Sequence, residues 1–301
     1  MANANRTLTA LPGIRVGHWT HAAAGTGCTV VLFDRAVPAA VDVRGSAPGT
    51  RETDALHPGG LVAQADAILL TGGSAYGLAA ADGVMRYLEA RGRGFATSAG
   101  PVPIVPGAVI YDLSVGDPSV RPDAAAGEAA ADAASTDPVS QGNVGAGTGA
   151  TIGFGDGRLQ GGLGSALSRS GDVLAGALAV VNPTGAVHDP STGRQLAAAS
   201  GPIRSGFGQN TTIGVVAVNA VLERWQLRKI AEMSHDGLAR AVRPAHGMSD
   251  GDTIFAASVG GRAENVDLTA VGHAAAEAFS AAVVQGALRA RPAHGLSAAQ
   301  A

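Results

Sequence analysis

The run Gln209-Asn210-Thr211-Thr212-Ile213-Gly214-Val215-Val216-Ala217-Val218-Asn219-Ala220 decides how this chain is read. A glycine- and polar-rich loop, Ser205 to Gln209, enters Asn-Thr, and an apolar strand follows at once. An N-terminal nucleophile needs that arrangement. The strand fixes the reactive residue, and the loop before it leaves room for a new terminus to open. The Thr211 hydroxyl attacks the Asn210 carbonyl, the peptide shifts to an ester, and hydrolysis frees the Thr211 α-amine. An α-amine with a pKa of about 7.7–8.0 then serves as base to its own hydroxyl. The same residues also suit an ordinary loop-to-strand junction, with Asn in the turn and Thr on the pleat. The rest of the chain must decide between the two.

At 301 residues the chain can bury a sizeable core, in one large domain or two modest ones. Hydrophobic residues make up 46% but aromatics only 4%, and there are 44 glycines, so closely stacked layers and tight turns are expected. A net charge of −3 gives no basic footprint for nucleic acid. No apolar run approaches the ~18 residues of a membrane span, and Met1 to Arg6 lacks a charged-then-apolar signal region. The expectation is therefore a cytoplasmic protein with neither a nucleic-acid nor a membrane partner. The single cysteine, Cys28, cannot form an internal disulfide and fits a reducing compartment. It lies in the apolar run Cys28–Phe33 and reads as a buried structural thiol.

Sheet and helix signals alternate. Apolar, β-branched runs occur at Gly27–Phe33, Ala39–Val43, Ala67–Thr71, Asp172–Asn182, Thr211–Leu222 and Thr253–Val259. Helical spacing occurs at Tyr76–Arg91, Asp123–Ser135, Trp225–Val242 and Leu268–Arg289. The last of these is mostly small and apolar, so it should be well buried. Gly185–Gly208 is polar and punctuated by Gly and Pro, and reads as a flexible loop upstream of the proposed cut. No second core is indicated, so residues 1–301 are expected to form a single α/β domain.

Several segments carry possible chemistry. The glycine-rich Gly142–Gly149 invites a phosphate-loop reading, but no Gly-Lys-Ser/Thr follows and Thr151 to Gly157 is not helical. Thr71-Gly72-Gly73-Ser74-Ala75-Tyr76-Gly77 joins a strand to a helix, yet Tyr76 stands where a nucleophile elbow needs glycine. Ser74 there reads as a helix cap, with a backbone anion site at that helix end as the other reading. The histidines give no metal spacing, and His188 and His235 read as surface or satisfied interior residues. His246-Gly247-Met248-Ser249-Asp250-Gly251-Asp252 is turn chemistry on one reading. On the other, two carboxylates enter a strand, placed to hold a substrate amine or orient a nucleophile.

Together these residues resemble a family. Leu11-Pro12-Gly13-Ile14-Arg15-Val16-Gly17-His18, Leu70–Leu78, Val109-Ile110-Tyr111-Asp112 and Val181-Asn182-Pro183-Thr184-Gly185 resemble blocks of the P1-type N-terminal-nucleophile peptidases. So do Asn210-Thr211-Thr212-Ile213 and Asp250–Phe255. That group holds the L-aminopeptidase/D-esterase, the β-peptidyl aminopeptidases and the nylon-oligomer hydrolase. The blocks run in order from residue 11 to about 259. The resemblance implies a precursor that cuts itself between Asn210 and Thr211 and keeps both pieces in one four-layer α/β/β/α sandwich. It implies Thr211 as nucleophile toward amides or esters, Asn182 as oxyanion donor, and Tyr111 beside the nucleophile. A core tyrosine ending a strand is the other reading of Tyr111. Asp250 and Asp252 match positions that orient the nucleophile and bind the substrate amine. The paired Asp form and the Asn-Thr-Thr junction look closer to the nylon-oligomer branch, whose substrates are ω-amino-acid oligomers such as 6-aminohexanoate. No cofactor or metal is implied. A small peptide or amide is the expected substrate, and a homo-oligomer, tetramer or larger, the expected assembly.

One departure bears on the chemistry. The nylon-oligomer branch carries a lysine in a Gly-Lys context, where this chain has Gly153-Phe154. A phenyl ring cannot donate a proton, so lysine-assisted chemistry is lost unless Arg158 substitutes; Phe154 can instead line an apolar subsite. Two other functions are carried forward. One is an acyltransferase of the ornithine-acetyltransferase type, which resembles the family in fold and also uses threonine. The other is an uncut small-molecule-binding protein with Gly142–Gly149 as its binding loop.

Overall fold

Strands in this chain alternate small apolar residues on both faces, and that pattern suits sheets covered on both sides. The computed structural model describes residues 5–155, 157–198, 210–262 and 266–299. From the N-terminus run β1 (Ile14–His21), β2 (Thr26–Val43), β3 (Gln64–Thr71), α1 (Ala80–Glu89), β4 (Gly107–Val109) and α2 (Ala124–Asp132). There follow β5 (Gly162–Ser170), β6 (Val173–Val181), β7 (Ile213–Ala220), α3 (Arg224–Ala241), β8 (Thr253–Arg262) and α4 (Leu268–Arg289). The hydrogen-bonded path is β5-β6-β7-β8-β2-β3-β4, continued by the short Thr50–Arg51 strand, with β1 on the outer part of β2.

The long strand β2 joins two halves. Its first part pairs with β1 and β3, and its last part, Ala39 to Val43, pairs with β8. The β2–β3 register slips between Leu32 and Val37, where the strand turns from one sheet half into the other. Period-two alternation then sorts the side chains. Val31 and Phe33 pack with Leu178, Val180, Ile213, Val215 and Phe255 between the halves. Val30 and Leu32 face α1 and α2. Val216 and Val218 face α3 and α4. The order helix pair, sheet half, sheet half, helix pair is the expected α/β/β/α sandwich.

Three local expectations change. The helix expected from Tyr76 begins as a 3₁₀ segment, Ser74–Ala79, and becomes α-helical only at Ala80. Ser74 makes no capping bond; it and Gly73 have φ of 53° and 82°, so the left-handed turn itself starts the element. The start of Gly185–Gly208 is ordered: Ala186–His188 and Gln195–Ala197 form strands in a small sheet with Val242–Arg243. Residues 199–209 lie outside the described residues. The glycine-rich Gly142–Gly149 is packed, not open. Its Gly145 and Ala146 N–H groups donate to the hydroxyls of Thr20 and Thr29 at 2.8 and 3.1 Å. The N–H groups of Gly142, Val144, Gly147 and Thr148 donate to backbone carbonyls. With most of its donors spent inside the protein, the segment is a poor cradle for phosphate.

Candidate active site

Three strand ends meet at the Asn-Thr junction. β7 lies antiparallel to β6 with Val180 opposite Ile213, so the residue just past β6, Asn182, comes level with Thr211. β7 lies parallel to β8 with Ile213 opposite Thr253, and Asn210 bridges Asp250. Parallel register thus sets Asn210-Thr211-Thr212 beside Asp250-Gly251-Asp252. Residues far apart in sequence share one buried spot because both strands start there.

The backbone contacts are close. Thr211 N–H donates to the Asn182 carbonyl at 2.7 Å. The Thr211 hydroxyl donates to the Asn210 carbonyl. Gly251 N–H lies 3.2 Å from both the Asn210 carbonyl and Thr211 Oγ1, serving the two oxygens together. Gly251 allows this closeness, since a β-carbon there would stand 2.9 Å from Thr211 Oγ1 and 2.6 Å from the Ala47 carbonyl. The Asn210 side chain reaches the carbonyls of Gly153 and Asn182 at 3.2 and 3.3 Å.

Asn182 is fully buried, and its two amide ends differ. Oδ1 accepts from Thr151 N–H at 2.8 Å and from its hydroxyl at 3.2 Å. Nδ2 is buried and has no hydrogen-bond partner among the described residues. A buried donor without a partner costs about 1–3 kcal/mol, so its retention calls for an explanation.

Both aspartates are buried and fully engaged. Asp250 Oδ1 accepts from the Thr184 N–H and hydroxyl at 3.2 and 2.9 Å, and Oδ2 accepts from Gly247 N–H at 2.9 Å. Burial, and then the nearby Asp252 charge, raise the Asp250 pKa above the usual carboxylate value. Asp252 Oδ1 accepts from Thr212 N–H at 2.7 Å, and its Oδ2 from His246. Sequence reading had placed both carboxylates here but assigned nothing to Thr151, Thr184 or the His246 ring. Only the His-x₅-Asp turn itself pointed toward His246.

Tyr111 is half-buried just past β4, and no hydrogen bond joins it to Thr211 among the described residues. Phe154 directly follows Gly153, whose carbonyl holds Asn210. Arg158 does not replace a lysine here, because its guanidinium donates to the Ser114 hydroxyl and carbonyl at 3.0 and 2.8 Å. Among the described residues no group of three or more His, Cys, Asp or Glu could hold a metal, and no helix is long and apolar enough to cross a membrane.

Comparison with known proteins identifies the family. The model of peptidase family S58 matches residues 6–301. An uncharacterized aminopeptidase of Mycobacterium bovis is 46% identical, over 96% of this chain and 96% of its own. The 6-aminohexanoate-oligomer endohydrolase of a Kocuria strain is 33% identical, over 81% of this chain and 72% of its own. Among solved structures, the L-aminopeptidase D-Ala-esterase/amidase of Ochrobactrum anthropi, described as a variant of the N-terminal-nucleophile hydrolase fold, superposes with a TM-score of 0.75. It is 22% identical, over 96% of this chain and 88% of its own. A Burkholderia β-aminopeptidase gives 0.74 at 22% identity, over 99% and 90%.

Proposed function

This chain belongs to peptidase family S58 and is a hydrolase, and from that premise we propose that it is a self-processing N-terminal-threonine aminopeptidase or amidase. The observation that carries the proposal is the buried Asn182 Nδ2, without a hydrogen-bond partner among the described residues, on a residue whose backbone carbonyl accepts from Thr211 N–H.

Maturation comes first. Thr211 Oγ1 bonds to the Asn210 carbonyl carbon, the Asn210–Thr211 C–N bond breaks, and the nitrogen takes a proton. Water then hydrolyses the ester, leaving an Asn210 carboxylate and a free Thr211 amine. Gly251 N–H lies where it can stabilise the oxyanion formed on Asn210. The new amine inherits the Asn182 carbonyl as an acceptor, so it stays beside its own hydroxyl.

Turnover uses the same atoms. The amine takes the hydroxyl proton, Oγ1 attacks the substrate carbonyl, and Asn182 Nδ2 donates to the oxyanion. The Thr211 ammonium passes its proton to the substrate's leaving amine, which departs as the acyl–Thr211 ester forms, and water then hydrolyses that ester and releases the acyl group. Asp250 and Asp252 supply negative charge for a substrate ammonium, which suits an aminopeptidase. Relatives named as aminopeptidases and as an oligomer endohydrolase favour water over an amine as the acyl acceptor. Phe154 in place of lysine favours an apolar neighbour for the bound acyl chain.

Intact-mass measurement tests the reading. Wild type should resolve into residues 1–210 and 211–301, and Thr211→Ser should also cut and turn over an aminoacyl amide. Thr211→Ala should stay whole and inactive. Self-cleavage of Thr211→Ala, or an uncut but active wild type, would overturn it.

A further inference from the structure

The His246 loop does more than turn the chain. His246 N–H and Nδ1 both reach Asp252 Oδ2, at 3.0 and 2.8 Å, while Thr212 N–H takes Oδ1. A left-handed backbone at His246, with φ of 58°, accompanies this double contact from one residue. A carboxylate only accepts, so Nδ1 carries a proton and, in a neutral ring, Nε2 does not. Nε2 is buried and has no hydrogen-bond partner among the described residues.

A second imidazole packs against the first. The fully buried His235 of α3 meets His246 edge to face, with ring centroids 4.8 Å apart. His235 Nε2 faces the Asp42 carbonyl at 3.0 Å and must therefore donate, leaving Nδ1 as an acceptor. That nitrogen, too, is buried and unpartnered. Burial pushes the His235 pKa down to about 4, which keeps this ring neutral. The other charges around the pair are Asp252 and Asp250 on the loop before β8, and Asp42 at the end of β2. The Asp42 carboxylate is itself held by Arg44 and Arg228.

We propose that His246 is a positioning residue for the hydrolysis: it locks Asp252, and through Thr212 N–H the start of β7, with the His235 ring packed edge to face against it. This rests on the proposed function, because the locked strand end carries Thr211. Asp252 then acts on kcat through the nucleophile's position, beyond any contact with substrate.

The test is a set of substitutions in matured enzyme, with folding checked by circular dichroism and maturation by mass. His246→Ala should lower kcat by about tenfold or more with little change in KM. His246→Asn tolerates the left-handed backbone and places an amide N–H where Nδ1 stood. It should restore kcat to within about threefold. A His246→Ala enzyme at wild-type kcat would overturn the proposal, as would His246→Asn failing as badly as His246→Ala. A wild type with no amidase activity would instead defeat the functional reading. The Thr212 amide shift and exchange rate in the two His246 variants would then decide the positioning claim separately.

Discussion

On the proposed mechanism Asn182 divides its amide between two jobs, and a single-atom exchange separates them. Oδ1 accepts from the Thr151 N–H and hydroxyl, while Nδ2 has no hydrogen-bond partner among the described residues. Asn182→Asp keeps the shape and the Thr151 acceptor but removes the donor, so kcat should fall by about 10²–10³. Stopped assays at saturating substrate would measure it, and an unchanged kcat would place the oxyanion elsewhere. Asp112 gives a prediction about stability. Burial lifts its pKa from 3.8 to about 6, against the opposing bonds from Thr26 and Gly73. The folded state therefore holds the proton more tightly than the unfolded chain. Its contribution is full below about pH 4 and is lost as pH rises through about 6. Asp112→Asn retains an acceptor for Gly73 N–H and cannot ionise. The stability difference, mutant over wild type, should grow between pH 4 and 7 by something on the order of 3 kcal/mol. Urea titrations at both pH values check this, and a constant difference would refute it. Thr211, Asn182 and the two aspartates were legible as residues because each lies in a local motif next to a strand. Thr151, Thr184 and His235 were not, because each acts by bonding to a partner from a different element. The Thr184–Asp250 bond, for instance, joins β6's exit to β8's entry.

At the scale of elements, small side chains set the distances. α1 and α2 touch backbone to backbone at a reciprocal pair. A β-carbon on Gly83 would lie 1.7 Å from the Ala124 carbonyl oxygen, and one on Gly127 would lie 1.8 Å from that of Ala80. Gly127→Ala gains helix propensity of about 1 kcal/mol but must push the helices apart, at about 1–3 kcal/mol or more. The net effect should be destabilising. Gly59→Ala makes the same chemical change on an exposed turn, where the nearest atom is His57 Nδ1 at 3.6 Å, and should be near neutral. Urea unfolding of both variants checks the contrast; equal effects would mean that the helix contact is not limiting. Small residues also explain which elements could be read. β3, β6 and β7 are rich in Leu, Ile and Val and announce themselves. β5, Gly162-Leu-Gly-Ser-Ala-Leu-Ser-Arg-Ser, has almost no β-branched residue and is a strand because β6 pairs along it and α4 covers it. β2 reads as two strands because Asp34-Arg35 interrupts its apolar run, although the backbone continues through both.

For the whole molecule, the position of the proposed cut governs what cutting can do. Alternation along one sequence cannot reveal that β2 serves both sheet halves, so the layered sandwich was legible only through its resemblance to a family. In the fold, β7 lies between β6 and β8, with one face in the core between the sheet halves and the other against α3 and α4. β8 in turn pairs with β2 from the other side of the cut. Release of residues 211–301 would have to break the β6–β7 and β8–β2 ladders and expose both cores at once. The proposed cleavage at Asn210 would therefore sever the chain without separating the pieces. Matured protein should elute under native conditions as one species containing both fragments, and resolve into two only in denaturant. The two fragments should also unfold in a single urea transition, because neither keeps a complete core alone. Native separation of the fragments, or two transitions with distinct midpoints, would show that the shared cores do not hold the cut chain together.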